Sequence, residues 1–146
     1  MHIRHALILA AGRGMRMKPL TDAIPKPMAP YRGSTLIADG IRQIAKRIPC
    51  IHITIGYKKV MLASHVIENG ASSVLNTEGQ SNAWWIYHSL MRHLDEPVLV
   101  LTCDNITDLD VNELEAEYES LGRPSCMLVP VKPLILELPN FACAVE

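Results

Sequence analysis

Sixteen residues, Gly12 to Pro27 (GRGMRMKPLTDAIPKP), hold two glycines, three prolines and the cations Arg13, Arg16, Lys18 and Lys26 against a single carboxylate, Asp22. Glycine lacks a Cβ and tolerates positive φ, so the amides beside it can close on a bound anion. Arginine bonds two phosphate oxygens through its planar fork, and lysine adds a compact charge. Pro19, Pro25, Pro27 and the nearby Pro30 lock φ and deny the loop a helix, which lowers the entropy lost when it wraps a ligand. The chemistry indicated is the holding of a polyphosphate. A second stretch, LTCDN, ends an apolar run with Asp104, whose spacing fits either a metal ligand or a cap of the following turn. Asp108 and Asp110 are candidate N-caps of the next helix. Cys103 closes the same run and reads as inert packing, not as a nucleophile.

These residues need elements to hold them, and the pattern supplies strands alternating with helices. Strands are expected at Ile3 to Leu9, Cys50 to Ile55, Ser72 to Leu75, Pro97 to Cys103 and Cys126 to Lys132. Helices are expected at Ser34 to Ile48, Tyr57 to Glu68, Ser81 to Leu94 and Val111 to Leu121. Such alternation implies parallel strands joined by right-handed crossovers, hence an α/β fold of three layers, α/β/α, with a mostly parallel, Rossmann-like sheet. Ligands bind such sheets beyond the carboxyl ends of the strands, where strand order reverses. The loop after Leu9 and the TCDN after Leu101 both fall on that rim.

At 146 residues, 49% apolar and 20% charged, the chain is expected to be an ordinary globular domain with a packed core. Its net charge of -1 gives no general attraction to nucleic acid or to a membrane, and no apolar run is long enough to span one. The charge is instead segregated, with the basic loop early and nine carboxylates without a Lys or Arg between residues 95 and 119. Cys50, Cys103, Cys126 and Cys143 are scattered without metal spacing, so reduced thiols in a cytoplasmic protein are expected. The six histidines form no triad or metal spacing and read as structural or surface residues.

A dinucleotide fingerprint would need a third glycine where Met17 stands and a helix where the proline-rich loop runs. A Walker loop would need G-K-[ST], which the loop lacks. The stretch LAAGRGMRMKPLTDAIPKPM instead resembles the signature of the sugar nucleotidyltransferases, the NDP-sugar pyrophosphorylase-like family, G-x-G-x-R-x-x-P-L-T-x-x-x-P-K-P. Every fixed position from Gly12 through Pro27 is present. The similarity continues through GSTLIADGI (Gly33 to Ile41) and LTCDN, and covers roughly residues 3 to 132.

The resemblance implies a nucleotide-diphospho-sugar transferase type of fold, incomplete at its C-terminus, with a nucleotide-binding domain over 1–132 and a short tail over 133–146. It implies that Leu9, Ala10, Ala11 and Gly12 meet the base and ribose, that Gly14, Met15 and Arg16 hold the triphosphate, and that Lys26 contacts the reacting phosphate. Asp104 would hold Mg²⁺. Gln80, Ser81 and Asn82, before a helix, would contact the base. The reaction implied is attack by a phosphate monoester on the α-phosphorus of an NTP, with Arg16 and Lys26 as the catalytic cations. The expected acceptor is a sugar 1-phosphate. The pattern N-x-x-x-I-Y-x-S-L also resembles a branch that includes phosphocholine-type cytidylyltransferases, which makes a phosphocholine-like acceptor the alternative.

Within the segment from Ser81, a continuous helix puts Ala83, Ile86, Tyr87, Leu90 and Leu94 on the core stripe, Trp84 and Met91 on its flank, and Trp85 opposite. Trp85 is then expected to be covered by a second copy in a homo-oligomer or by another partner, together with the apolar tail. Nothing after Lys132 matches the family, which keeps a second metal-binding Asp further on. A truncated or frame-shifted product, or a non-catalytic NTP-binding module, is therefore the rival reading to an enzyme.

Overall fold

The computed structural model describes residues 2–104 and 109–129. Chain order runs β1 (His5–Leu9), α1 (Leu20–Ala23), β2 (Pro30–Tyr31), β3 (Ser34–Thr35), α2 (Leu36–Ile44), β4 (Cys50–Ile55), α3 (Lys59–Glu68), β5 (Ser73–Asn76), α4 (Asn82–His88), β6 (Val98–Thr102) and α5 (Val111–Ser120). Four strands form one parallel sheet in the order β5-β4-β1-β6, and β2 pairs with β3 in a small antiparallel hairpin. From β1 the chain steps outward to β4 and β5, then returns to β6 on the other side of β1. Strand order thus reverses between β1 and β6, where the crossovers leave a crevice at the carboxyl ends. In register, Leu9 stands between Thr54 and Thr102, so the chain leaves all three strands at one height.

The sheet is covered on both faces, and β1 is apolar in both phases from Ala6 to Leu9, as a buried parallel strand must be. By contrast, β4 is apolar in the phase of Ile51, Ile53 and Ile55 and carries His52 and the buried Thr54 in the other. On one face Ile8 and Ala10 pack with Ile51, Ile53 and Ile55 against Ile37 and Ile41 of α2 and Leu62 and Val66 of α3. Ala6 and Leu99 meet Val111 and Leu114 of α5 on the same side. On the other face Leu7, Leu9 and Ala11 pack against Trp85 and Met91. Among the described residues no helix is long and apolar enough to cross a membrane.

The structure departs from the periodic pattern where side chains compete with the helix. Ser34 and Thr35 belong to the hairpin, and Thr35 Oγ1 accepts the Ala38 amide at 3.2 Å, so the helix expected from Ser34 starts at Leu36. Tyr57 and Lys58 precede α3, with Lys58 in the left-handed region at φ 50°. The helix expected over Ser81 to Leu94 breaks at Ser89, whose extended backbone and Oγ cap a separate 3-10 turn, Leu90–His93. Residues 126–129 form no strand, and 130–132 of the expected fifth strand, like the tail, lie outside the described residues.

That break corrects the reading of Trp85. It is only 7% exposed, whereas Tyr87, expected in the core, is 64% exposed and Ile86 40%. A seven-residue helix apolar at five consecutive positions, Ala83 to Tyr87, has no stripe that sets its rotation, so the indole N–H decides. Trp85 Nε1 donates to the Thr77 carbonyl at 2.9 Å, turning the ring onto the sheet. This chain covers Trp85 itself, and no partner is needed for that.

Candidate functional site

The backbone leaving β1 is braced by the end of β4. Thr54, fully buried, accepts the Ala10 amide on Oγ1 at 3.0 Å, and Cys103 donates its amide to the Leu9 carbonyl at 3.2 Å. Gly56 permits the closest approach, because a Cβ there would lie 2.7 Å from the Ala11 carbonyl oxygen. Ala10 and Ala11 are buried, and the chain surfaces at Gly12. A Cβ built on Gly12 meets nothing within 4 Å, so the fold itself does not require glycine there and the ground in front of it is open.

Gly14 is the opposite case. Its φ is +64°, and a Cβ would lie 2.7 Å from Lys26 Cβ and 3.1 Å from Thr21 Cγ2. Its carbonyl accepts the Met17 amide at 2.9 Å and the Thr21 hydroxyl at 3.0 Å. Met15 and Arg16 lie on the 3-10 turn Met15–Met17 that follows, and Met15 is exposed. The buried rings of Pro25 and Pro27 fix the next turn, Lys26–Met28, and hold Lys26 against Gly14. The prolines thus hold the loop against the body of the fold.

Lys26 reaches across the crevice, its Nζ donating to Asp104 Oδ2 at 2.5 Å. Burial works to raise the Asp104 carboxyl, but the Lys26 ammonium, with help from Thr102, outweighs it and holds the group below the usual aspartate range. The adjoining Cys103 thiol is pushed up to about 12, first by burial and then by the Asp104 charge. It is protonated at neutral pH, consistent with packing and not with nucleophilic chemistry. Among the described residues no three His, Cys, Asp or Glu side chains gather as a metal site, and Asp104 is the carboxylate that meets Lys26. A single carboxylate suits Mg²⁺ that keeps waters and phosphate oxygens as its other ligands, and the residues present fit that mode. Asp110, the other capping candidate described, does cap α5, accepting the Asn112 and Glu113 amides at 2.9 and 3.2 Å. Asp108 lies outside the described residues.

Gln80 and Asn82 lie at the same rim, beyond β5. The Gln80 amide donates to the Thr77 carbonyl at 3.2 Å, and Ser81 caps α4. Because Trp85 bonds the same Thr77 carbonyl and packs on Leu9 and Ala11, this turn is anchored to the end of β1. The structure therefore joins Gly14, Lys26 and Asp104 by contact, and brings Gln80 and Asn82 to the β5 side of the rim. Thr54, Gly56 and Trp85 were missed as supports. The Gly-Tyr that follows β4 is the signal the sequence offers for them.

Residues 5–134 match the family model described as nucleotidyl transferase. The bifunctional protein GlmU of Methanococcus aeolicus is 29% identical over 109 residues, which are 75% of this chain and 26% of that protein. Glucose-1-phosphate adenylyltransferase 2 of Vibrio parahaemolyticus is 30% identical over a gapped alignment of 160 positions, covering 87% of this chain and 37% of that one. Among solved structures, CTP:phosphocholine cytidylyltransferase from Streptococcus pneumoniae (LicC) superposes with a TM-score of 0.63 at 26% identity, over 77% of this chain and 50% of that one. UDP-glucose pyrophosphorylase gives 0.64 at 19% identity over 82% and 55%, a likeness of fold. The chain spans about a quarter of the first curated relatives it matches and about half of these solved chains.

Proposed function

This chain belongs to the nucleotidyl transferase family, and on that premise we propose that it binds a nucleoside triphosphate with Mg²⁺ in the crevice between β1 and β6 and transfers the nucleotidyl group to a phosphate monoester. The observation that carries the reading is the contact of Lys26 with Asp104, which unites the loop's cation and the strand-end carboxylate at the point where strand order reverses. Gly12 offers open ground for base and ribose, and Gly14, Met15 and Arg16 take the phosphates. Gln80 and Asn82 face the base from the β5 side. An acceptor phosphate oxygen forms a bond to the α-phosphorus while the α–β bridging bond breaks, and pyrophosphate leaves with the electron pair. A phosphate monoester is already anionic at neutral pH, so no general base is required. Catalysis then consists of alignment and charge neutralisation by Arg16 and Lys26. Bound through Asp104, Mg²⁺ would supply further neutralisation of the phosphate charge.

A sugar 1-phosphate is the acceptor best supported by the relatives named glucose-1-phosphate adenylyltransferase and UTP--glucose-1-phosphate uridylyltransferase. A phosphocholine-like acceptor is the second reading, favoured by the LicC likeness and by the exposed rings of Trp84 and Tyr87. The test is a thermal-shift titration with ATP, CTP, GTP and UTP, with and without Mg²⁺, followed by pyrophosphate release with glucose 1-phosphate or phosphocholine. A ligand at a hundred times its Kd stabilises the fold by about 2.7 kcal/mol. A Mg²⁺-dependent shift with one nucleotide supports binding, and pyrophosphate release abolished in Lys26→Met supports transfer, with a loss on the order of 10²–10³ expected. A cooperative melt that ignores all four nucleotides would refute the reading.

A further inference from the structure

Tyr57 belongs to neither the glycine-rich motif nor any element, yet it touches that loop where it begins and again at its short helix. Its amide donates to the Ala11 carbonyl at 3.3 Å, where the loop leaves β1. Its hydroxyl donates to the Thr21 carbonyl at 2.8 Å, in the short helix that turns the loop back. Thr21 in turn donates its hydroxyl to the Gly14 carbonyl, and Gly14 backs directly onto Lys26. A chain of contacts therefore runs from the end of β4 to the cation that meets Asp104. The ring also seats charge, with the Arg13 guanidinium carbon and Lys58 Nζ each 5.5 Å from its centroid. Between ring and loop lies a cavity of about 150 Å³, also lined by Arg13, Met15, Lys18, Thr21 and Asp22.

We propose that Tyr57 is the positioning residue of the loop: its two hydrogen bonds set the loop's span, and its ring holds Arg13 beside the cavity. The proposal rests on the nucleotide reading only for the identity of the ligand. A preformed loop pays less ordering entropy on binding, so loosening it weakens affinity without removing any group that touches the ligand. Tyr57→Phe deletes the bond to Thr21 and keeps the ring for Arg13, while Tyr57→Leu deletes both.

Two measurements test this on the full chain. The first is the Kd of the Mg²⁺-nucleotide that most stabilises the wild type. The second is hydrogen exchange of the amides from residue 12 to residue 22 in the free protein. Tyr57→Phe is expected to raise Kd about fivefold and to speed loop exchange by a similar factor, from the loss of one hydrogen bond. Its β1 and β4 amides should exchange as in the wild type. Tyr57→Leu is expected to raise Kd about twentyfold, the lost cation–ring contact adding to the lost bond. A role confined to global stability would instead lower the melt and speed exchange throughout. Unchanged loop exchange and unchanged Kd in Tyr57→Phe overturn the proposal. If the wild type binds no nucleotide but Tyr57→Phe loosens the loop alone, the positioning role stands and the nucleotide reading falls.

Discussion

Replacing each loop glycine by alanine separates what the fold demands from what a ligand demands. At Gly14 the added Cβ meets two penalties. A left-handed residue with a Cβ costs about 1–2 kcal/mol. The 2.7 Å approach to Lys26 Cβ adds about 1–3 kcal/mol of overpacking, since that atom sits next to the backbone and cannot swing aside. Together Gly14→Ala should lose about 2–5 kcal/mol, a fall of roughly 6–20 °C in Tm for a domain of this size. Relaxation of the clash also moves Lys26 away from Asp104, so any activity should fall with stability. At Gly12 the same methyl enters open space without positive φ, and the lost freedom of the unfolded chain offsets little or slightly stabilises, by up to about 1 kcal/mol. Gly12→Ala should therefore melt at or above the wild type, yet lose nucleotide binding if the base and ribose lie against it. Thermal and urea unfolding, each with and without the stabilising nucleotide, read both effects. A Gly14→Ala protein as stable as the wild type, or a Gly12→Ala protein as damaged as Gly14→Ala, would refute the steric reasoning.

Three other outcomes follow from the same geometry. In site-resolved alkylation of the native protein at pH 8, the exposed Cys126 should react well before Cys103, whose thiol at about 12 leaves roughly one molecule in ten thousand ionised. Equal labelling of the two would contradict the burial of Cys103. Trp85→Phe removes the donor to Thr77 and should destabilise by about 1–3 kcal/mol, whereas Trp84→Phe should have little effect. Loss of blue-shifted emission with Trp84→Phe and not with Trp85→Phe would reverse that assignment. His52 titrates below its ordinary value, chiefly through burial and then through His5, whose ring stacks on it 3.1 Å away at the nearest nitrogens; Ser73 and Glu96 complete this group. The unfolded chain takes up that proton first, so stability should be full above about pH 6.5 and decline as pH falls from there toward the lowered folded value. His52→Gln should flatten that part of the urea-midpoint profile, and an unaltered slope would assign it to other groups.

Much of this molecule is legible from its chain because the relevant physics is local. Apolar runs bounded by turns mark β1, β4 and β6, and a glycine-rich cationic stretch after the first strand marks the loop at the carboxyl rim of the sheet. Asp104 stands out in the chain because it follows the apolar run of β6, two residues past the strand's end. Where side chains compete with the backbone, the pattern misleads: Thr35 and Ser89 cap helices that periodicity alone runs through. The rotation of α4 was not legible, since its apolar residues surround the helix and only the Thr77 carbonyl, just beyond β5, selects Trp85 for burial. Nor could sequence pair Lys26 with Asp104, 78 positions apart, or hang the loop from Tyr57. Those contacts exist only once parallel pairing brings the ends of β1, β4 and β6 to one height. Composition and spacing decide which groups a site can use, but the sheet's register decides which of them meet.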